Sequence, residues 1–526
     1  MSSAAGAPRA RRPNILHILS DQHSPRVLGC YGDPLGVTPH LDGLAARGAV
    51  FDQLYCPSPI CVPSRMSMLT GRHPHQNDCW TNHHVLDSGI PTFAHALGAA
   101  GYRTTLIGRL HSLGPDQLRG YAERLVGDHS PNFDGNPMAS RGPLEGTAGP
   151  ARVSLERSGP GLSGYQVHDE YVTAAAVDCL NRLGIARRTA PPGRQPPPFL
   201  LTVGYMLPHQ PFVAQRADYE RFRGRVPPPL DPHPPLETQH PYIRWWRKHT
   251  GIARVAEAEI ARCRTAYWAL VSRLDAMIGQ VLTALEANGL AGNTLVIYTT
   301  DHGEQAGEHG LWWKQTFYEA SVRVPAIVSW PGVLAAGQRC RRVASALDLT
   351  ATLLDAAGAP ALPGLQGRSL LGLLAIDGDR TMVDERQSPP DGPLSTAIVR
   401  PSPAEWEDVA FSEFCTDDGW YQRMIRLGPW KLCYYHGHPS QLFHLEDDPH
   451  ELHDRAADPG CAAVRTALEQ RVLDGWDPAW IARRLEIKRA ETALRRAWAR
   501  ATHPAEQYRW PLTTEMNYLD PDYLDA

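Results

Sequence analysis

Four short segments of this chain end in residues that bind cations or move protons. NILHILS (14–20) runs into Asp21 and Gln22, and TTLIG (104–108) into Arg109 and His111. FLLTVGYM (199–206) leads to Pro208–His209, and TLVIYT (294–299) to Asp301 and His302. Carboxylate, amide and imidazole donors together suit a divalent cation, and histidines beside cations are groups that transfer protons. An Asp after a strand is by itself more often a helix cap than a ligand; four coincident ends are harder to explain that way. A fifth segment, PSPICVPSRMSMLTGR (57–72), sets Cys61, Pro63, Ser64 and Arg65 just before a short helical pattern. A cysteine near a helix N-terminus beside an arginine has a lowered pKa and is reactive, whereas the same residue in apolar surroundings is a structural thiol. Taken alone, Cys61 stands evenly between the two.

The elements that must position these groups are legible as patterns. The four runs are near-continuously apolar, as strands buried on both faces are. Between them, PHLDGLAARG (39–48) and IPTFAHALGAAG (90–101) carry proline near the start and glycine at the end, the signals that open and close a helix. In 254–288, Ile260, Cys263, Tyr267, Leu270, Leu274, Met277, Val281 and Leu285 recur at helical spacing, closed by Gly289. Strands alternating with helices predict an α/β fold with a mostly parallel sheet. In such sheets the working site lies outside the carboxyl ends of the strands, where the chemistry-bearing residues stand.

Proline-rich stretches at 191–198, 226–241 and 387–403 read as loops, the last also as a domain boundary. Beyond it, MIRLGPWKLCYY and QLFHL are short strand-like pieces of a small second domain. The expected division is a disordered segment 1–13, a catalytic domain 14–400, a C-terminal subdomain 401–475 and a tail 476–526. The tail is expected to pack on the main domain or on another subunit, as in a homo-oligomer.

Hydrophobic content of 42% and charged content of 21% are those of a globular protein. A net charge of −4 gives no global attraction to nucleic acid or acidic membranes, so neither is expected as a partner. No apolar run reaches the 18 residues of a membrane span, and the basic N-terminus lacks the apolar core of a secretion signal. Ten cysteines spread from Cys30 to Cys461 without a CxxC fit a reducing compartment, and the expected location is the cytoplasm.

Cys-Val-Pro-Ser-Arg (61–65) resembles the signature Cys-x-Pro-Ser-Arg of the formylglycine-dependent sulfatases, and LTGR (69–72) continues the match. IPTFAHALGAAGYRT, GPDQL and ERL within 90–125 are similar to the choline-sulfatase branch. DHGEQAGEHGLWWKQTFYEASVRVP (301–325) resembles the family's second long motif, and GPWKL and QLFHLEDDPHEL its C-terminal subdomain. The resemblance covers roughly 14–455. It implies an alkaline-phosphatase-like fold, a mostly parallel sheet sandwiched by helices, with a smaller C-terminal α+β subdomain. It also implies hydrolysis of small-molecule sulfate esters. Phosphonate monoesters and phosphodiesters are the alternative, since relatives on the same scaffold use the same site. A silent anion-binding relative is the non-enzyme reading, disfavoured because nucleophile, ligands and cations are all present.

By the same resemblance, Cys61 is converted to formylglycine by a formylglycine-generating enzyme. The hydrated aldehyde would attack sulfur and form a covalent sulfo-enzyme, and its second hydroxyl would then expel sulfate. Asp21, Gln22, Asp301 and His302, completed by the modified Cys61, correspond to the ligands of one divalent metal, Ca²⁺ first and Mn²⁺ next. Arg65 would hold the aldehyde hydrate. Lys314 and Arg109 would neutralise the transferring group, although the family usually has lysine where Arg109 stands. His209 and Lys314 are the candidates to protonate the leaving oxygen, and His111 to take the proton of the second hydroxyl. Asn82 matches a polar sulfate contact, in surroundings that match less well. His23, His73, His75, His83 and His84 are read as supporting or surface histidines. Gln210 departs from the Asp common in choline sulfatases.

Overall fold

The computed structural model describes residues 12–376 and 398–521. Most of the N-terminal segment expected to be disordered, residues 1–11, lies outside the described residues. Pro13 is buried, and its carbonyl accepts from the Tyr102 hydroxyl at 2.9 Å. Of the boundary read at 387–403, residues 387–397 likewise lie outside the described residues.

The four apolar runs form strands Asn14–Asp21, Arg103–Gly108, Phe199–Pro208 and Thr294–Thr300, paired in parallel with one another. Every residue of Asn14–Asp21, Phe199–Pro208 and Thr294–Thr300 is buried, which explains the absence of polar alternation. These strands are the middle of a nine-stranded sheet. Ala326–Ser329, Ala49–Tyr55 and Gln338–Ser345 extend it on one side, with Arg323–Val324 also paired to Ala49–Tyr55, and Glu123–Arg124 extends it on the other. Ala326–Ser329 runs antiparallel to both neighbours, so the sheet is mostly and not wholly parallel. The strand Ala49–Tyr55, which the apolar runs did not reveal, has two half-buried polar residues, Asp52 and Gln53, in its middle.

The helical patterns at 39–48, 90–101 and 254–288 correspond to helices Pro39–Ala46, Phe93–Ala99 and Glu257–Ala287. A further long helix, Gly164–Arg188, packs with Glu257–Ala287 against strand Phe199–Pro208. Phe93–Ala99, Cys61–Thr70 and Ala346–Ala357 pack together as a second group.

The C-terminal pieces form an antiparallel sheet of Val409–Cys415, Tyr421–Leu427, Trp430–Tyr435 and Gln441–His444, with helix Ala462–Leu473 packed on it. A buried lysine ties this sheet to the rest of the chain: Lys431 Nζ donates to Phe317 O at 2.6 Å and pairs with Glu319 at 3.0 Å and with Glu451. Glu413 on the same sheet accepts from His75 Nδ1 at 2.7 Å, close behind the helix that carries Cys61.

The tail opens with helix Pro478–Thr502, capped by Asp477 and begun by proline. It then returns to the body of its own chain. Trp510 N donates to Asp128 O at 2.9 Å, Arg509 Nε to His129 O at 3.1 Å, and Tyr518–Leu519 pairs with Gly159–Leu162. Among the described residues, no helix is long and apolar enough to cross a membrane.

Candidate active site

The four strands deliver their terminal residues to one edge of the sheet. Strand Asn14–Asp21 pairs residue for residue with Phe199–Pro208 as far as Leu19↔Gly204, and then Asp21 lies opposite Pro208. That bulge carries His209 to the level of Asp21. Gly204, a glycine inside an apolar strand, has a steric reason: a Cβ there would lie 2.0 Å from Arg109 O, whose own N–H donates to Gly204 O at 2.8 Å.

One ligand atom from each of Asp21, Cys61, Asp301 and His302 lies within 4.8 Å of the other three, and all four residues are buried. Cys61 is the first residue of helix Cys61–Thr70, and its Sγ stands 3.1 Å from His302 Nε2 and 3.7 Å from Asp21 Oδ1. The His302 Nδ1–H donates to Gly303 O at 3.1 Å, which leaves the Nε2 lone pair facing the cluster. Burial would raise the Asp21 carboxyl, but Arg109, with His209, Arg65 and Lys314, outweighs it and holds the group well below the usual carboxylate range. Two carboxylates, an imidazole lone pair and an amide carbonyl at Gln22 make a donor set that fits a divalent cation.

Gln22, held at φ 68°, is fixed from three sides. Its N–H donates to Asp301 Oδ1 at 3.1 Å. Its side-chain Nε2 donates to Gln210 Oε1 at 2.7 Å and to Glu304 Oε2, and Lys314 Nζ donates to its Oε1. The amide orientation is therefore set, with oxygen toward Lys314. Glu304 does most of this: its other oxygen accepts from Ala306 N at 2.8 Å and Trp313 N at 2.7 Å, and burial raises its pKa. Sequence reasoning did not single out Glu304, though it lies in the quoted DHGE. Its importance is visible only through its contact with Gln22, 282 positions away.

Arg65, four residues along the helix that begins at Cys61, turns its guanidinium to the carboxylates. Its Nε donates to Asp301 Oδ2 at 2.7 Å and its Nη2 to Asp21 Oδ2 at 3.1 Å and Ser20 O at 3.0 Å. A fully buried guanidinium thus clamps the two clustered carboxylates together. Arg109 reaches the same Asp21 oxygen from the other side, Nε to Oδ2 at 2.5 Å, and its Nη2 donates to His111 Nδ1 at 2.9 Å. His111 also hydrogen-bonds the Cys61 side chain, and its pKa is lowered, by burial first and then by Arg109. With Nδ1 taken by Arg109, the neutral ring is a donor on its Cys61 side, and becomes an acceptor there only when the Arg109 bond is given up. Asp128, missed in the sequence, accepts from His111 N at 3.0 Å and Arg124 Nη2 at 2.8 Å, and so seats this residue in its left-handed conformation (φ 56°).

His209 donates Nδ1–H to Gln210 O at 2.6 Å and accepts from Lys314 Nζ at Nε2, 2.7 Å away. Burial, and then Lys314, lowers its pKa well below the usual value. Asn82 is not drawn into the cluster: its Oδ1 accepts from Val62 N at 2.9 Å and caps the helix that begins at Cys61. Of the histidines read as supporting, His23 hydrogen-bonds the Tyr298 hydroxyl and His75 pairs with Glu413, while His83 lies at the exposed surface. The structure thus brings together Asp21, Gln22, Cys61, Arg65, Arg109, His111, His209, Asp301, His302 and Lys314.

A family model named Sulfatase matches residues 13–359 of the chain. The chain belongs to the sulfatase family. The choline-sulfatase of Rhizobium meliloti (strain 1021) is 32% identical over 477 residues, covering 89% of this chain and 87% of that protein. Human arylsulfatase K is 29% identical over 476 residues, covering 86% of this chain and 81% of that protein. Among solved structures, the phosphonate monoester hydrolase of Agrobacterium radiobacter superposes with a TM-score of 0.68 at 22% identity, covering 88% of this chain and 95% of that one. The sulfatase fold so identified is the mostly parallel sheet with helices and a C-terminal antiparallel subdomain, and the enzyme class is hydrolysis of sulfuric esters.

Proposed function

We propose that this sulfatase hydrolyses sulfate esters of small alcohols through residue 61, with Cys61 as the precursor of formylglycine. The observation that carries the reading is the placement of Cys61 Sγ inside the cluster of Asp21, Asp301 and His302, with Arg109, His111, His209 and Lys314 converging on the same space. When bound, a divalent cation supplies Lewis-acid polarisation of the transferring group, with Asp21, Gln22, Asp301 and His302 as its protein ligands. Formylglycine supplies a nucleophile that can release its own sulfate without an external water.

The chain's own residues do the rest. Arg65 keeps the two carboxylates at fixed spacing. Lys314 and Arg109 offset the negative charge that grows on the transferring oxygens. His209 and Lys314 share a proton within 2.7 Å of each other, and one of them passes it to the leaving oxygen. His111 takes a proton from the residue at 61 once Arg109 has turned to the substrate. Phosphonate esters present a similar tetrahedral group to the same cations.

The test is hydrolysis of 4-nitrophenyl sulfate and of an aryl phosphonate monoester, side by side, by metal-loaded protein with Cys61 modified. Preference for the sulfate upholds the reading, preference for the phosphonate replaces it, and turnover of neither removes it. Mass spectrometry of the peptide containing Cys61 decides the modification: an unmodified thiol in active protein would require another nucleophile.

A further inference from the structure

Helix Gly164–Arg188 carries an adjacent pair, His168 and Asp169, that the reaction chemistry above leaves unused. Both are 0% exposed. Burying a carboxylate and an imidazole is costly unless each finds hydrogen-bond partners. The partners found here lie on the two segments that hold His209 and His111.

Asp169 holds the first. Between Gly204 and Pro208, strand Phe199–Pro208 leaves its ladders with Asn14–Asp21 and Arg103–Gly108. Met206 and Leu207 fall in that gap, where a bulge frees N–H groups from strand pairing. Both go to Asp169: Met206 N donates to Oδ1 and Oδ2 at 3.0 Å each, and Leu207 N to Oδ2 at 2.8 Å. Met206 O in turn accepts from His209 N at 3.0 Å. The turn that presents His209 thus hangs on one carboxylate.

His168 holds the second. Its two ring nitrogens face Asp169 Oδ1 and Gly127 O, each at 2.9 Å. Gly127 precedes Asp128, whose Oδ2 accepts from Leu110 N at 3.3 Å and from His111 N at 3.0 Å. The C-terminal tail closes over the same place. Trp510 sets its ring edge-on to His168, with centroids 5.2 Å apart and planes at 89°, and donates its N–H to Asp128 O at 2.9 Å. A Cβ on Gly127 would lie 1.7 Å from Tyr508 O, so tail and segment are in close contact there. The imidazole is confined between them.

We infer that His168 and Asp169 are positioning residues that fix His209 and His111 relative to each other. Asp169 acts on the step that protonates the leaving oxygen, and His168 on the step in which residue 61 gives up a proton. The inference rests on the sulfate-ester reading, which assigns those steps to His209 and His111. A misplacement of about 1 Å at such a group costs about 100-fold.

The test uses the full-length, metal-loaded protein with Cys61 modified, on propyl sulfate and 4-nitrophenyl sulfate. Asp169→Asn turns one acceptor oxygen into an NH2 and releases the turn at Met206–Leu207. It is expected to lower kcat on propyl sulfate about 100-fold and on 4-nitrophenyl sulfate less than about tenfold, with each KM within about threefold of the parent. Ca²⁺ affinity by isothermal titration should not change. His168→Leu keeps Asp169 and removes the bond to Gly127 O. With 4-nitrophenyl sulfate its first turnover should stay within about threefold of the parent while the steady rate falls about tenfold, because the second step alone is slowed. Equal losses on the two esters in Asp169→Asn overturn the inference, as does a first turnover slowed as much as the steady rate in His168→Leu. Where either variant lacks the parent's circular dichroism, Trp510→Ala decides. It removes the ring beside His168 from the tail: a steady rate lowered about threefold or more with the first turnover kept upholds the pair, and unaltered kinetics refute it. If the parent turns over neither ester, the sulfate-ester reading falls instead. Side-chain NMR of ¹⁵N-histidine protein then reads the positioning: a His209 signal displaced in Asp169→Asn and a His111 signal displaced in His168→Leu uphold it, and unmoved signals refute it.

Discussion

Lys314 Nζ and His209 Nε2 face each other at 2.7 Å, and His209 holds its only N–H against Gln210 O. The imidazole is therefore neutral and lone-pair inward, with its pKa lowered by burial and by the lysine. Lys314 occupies that lone pair until an anionic ester enters and an oxygen of poor leaving ability demands a proton. Removing the imidazole should cost most where that demand is greatest. His209→Ala is expected to slow alkyl sulfates by about 10²–10⁴-fold, the range for a lost general acid, and 4-nitrophenyl sulfate by less than about tenfold. Steady-state rates on a series of leaving groups check this, and an equal loss across the series would remove His209 from proton transfer.

Cys61→Ala should abolish turnover and leave the fold in place, because the residue begins a helix whose packing rests on its neighbours and not on Sγ. Circular dichroism and the thermal midpoint should stay close to the parent while hydrolysis drops to background. A variant that still turns over would refute the covalent route.

Glu304 acts through Gln22, whose amide it holds with oxygen toward Lys314. Glu304→Ala frees the amide to rotate, and metal affinity should fall by about 10–100-fold, as for other residues that orient metal ligands. Isothermal titration with Ca²⁺ and with Mn²⁺ reads this directly, and the rise in thermal midpoint on adding metal should shrink with it. Unchanged affinity for both ions would show that Gln22 is oriented without Glu304.

His17 sits in the central strand with no hydrogen-bond partner on either ring nitrogen among the described residues, 3% exposed. Burial, and then Arg65, lowers its pKa from 6.5 to about 4. The folded value lies below the unfolded one, so on acidification the unfolded chain takes up a proton that the folded chain refuses until about pH 4. Stability contributed by the neutral ring is complete above pH 6.5 and declines through that window, by about 3 kcal/mol in total. His17→Leu should be less acid-sensitive by about that amount. Urea unfolding of both proteins at pH 7 and pH 4.5 measures the difference, and parallel losses would show that His17 does not titrate on unfolding.

The sequence by itself determined the four central strands, because a strand buried on both faces must be apolar throughout, as in NILHILS and TLVIYT. It also determined which residues follow each strand, and hence that Asp21, Arg109, His111, His209, Asp301 and His302 share one edge. Cys61 and Lys314 were legible through motifs, since the spacing of residues within each motif is local. Contacts between distant segments were not legible. Nothing near Arg65 says that its guanidinium clamps Asp21 and Asp301. Nothing near Asn82 says that it caps the Cys61 helix. Glu304 and Asp128 orient Gln22 and His111 only because strands far apart in the chain end side by side, and a hydrogen bond depends on positions within tenths of an ångström.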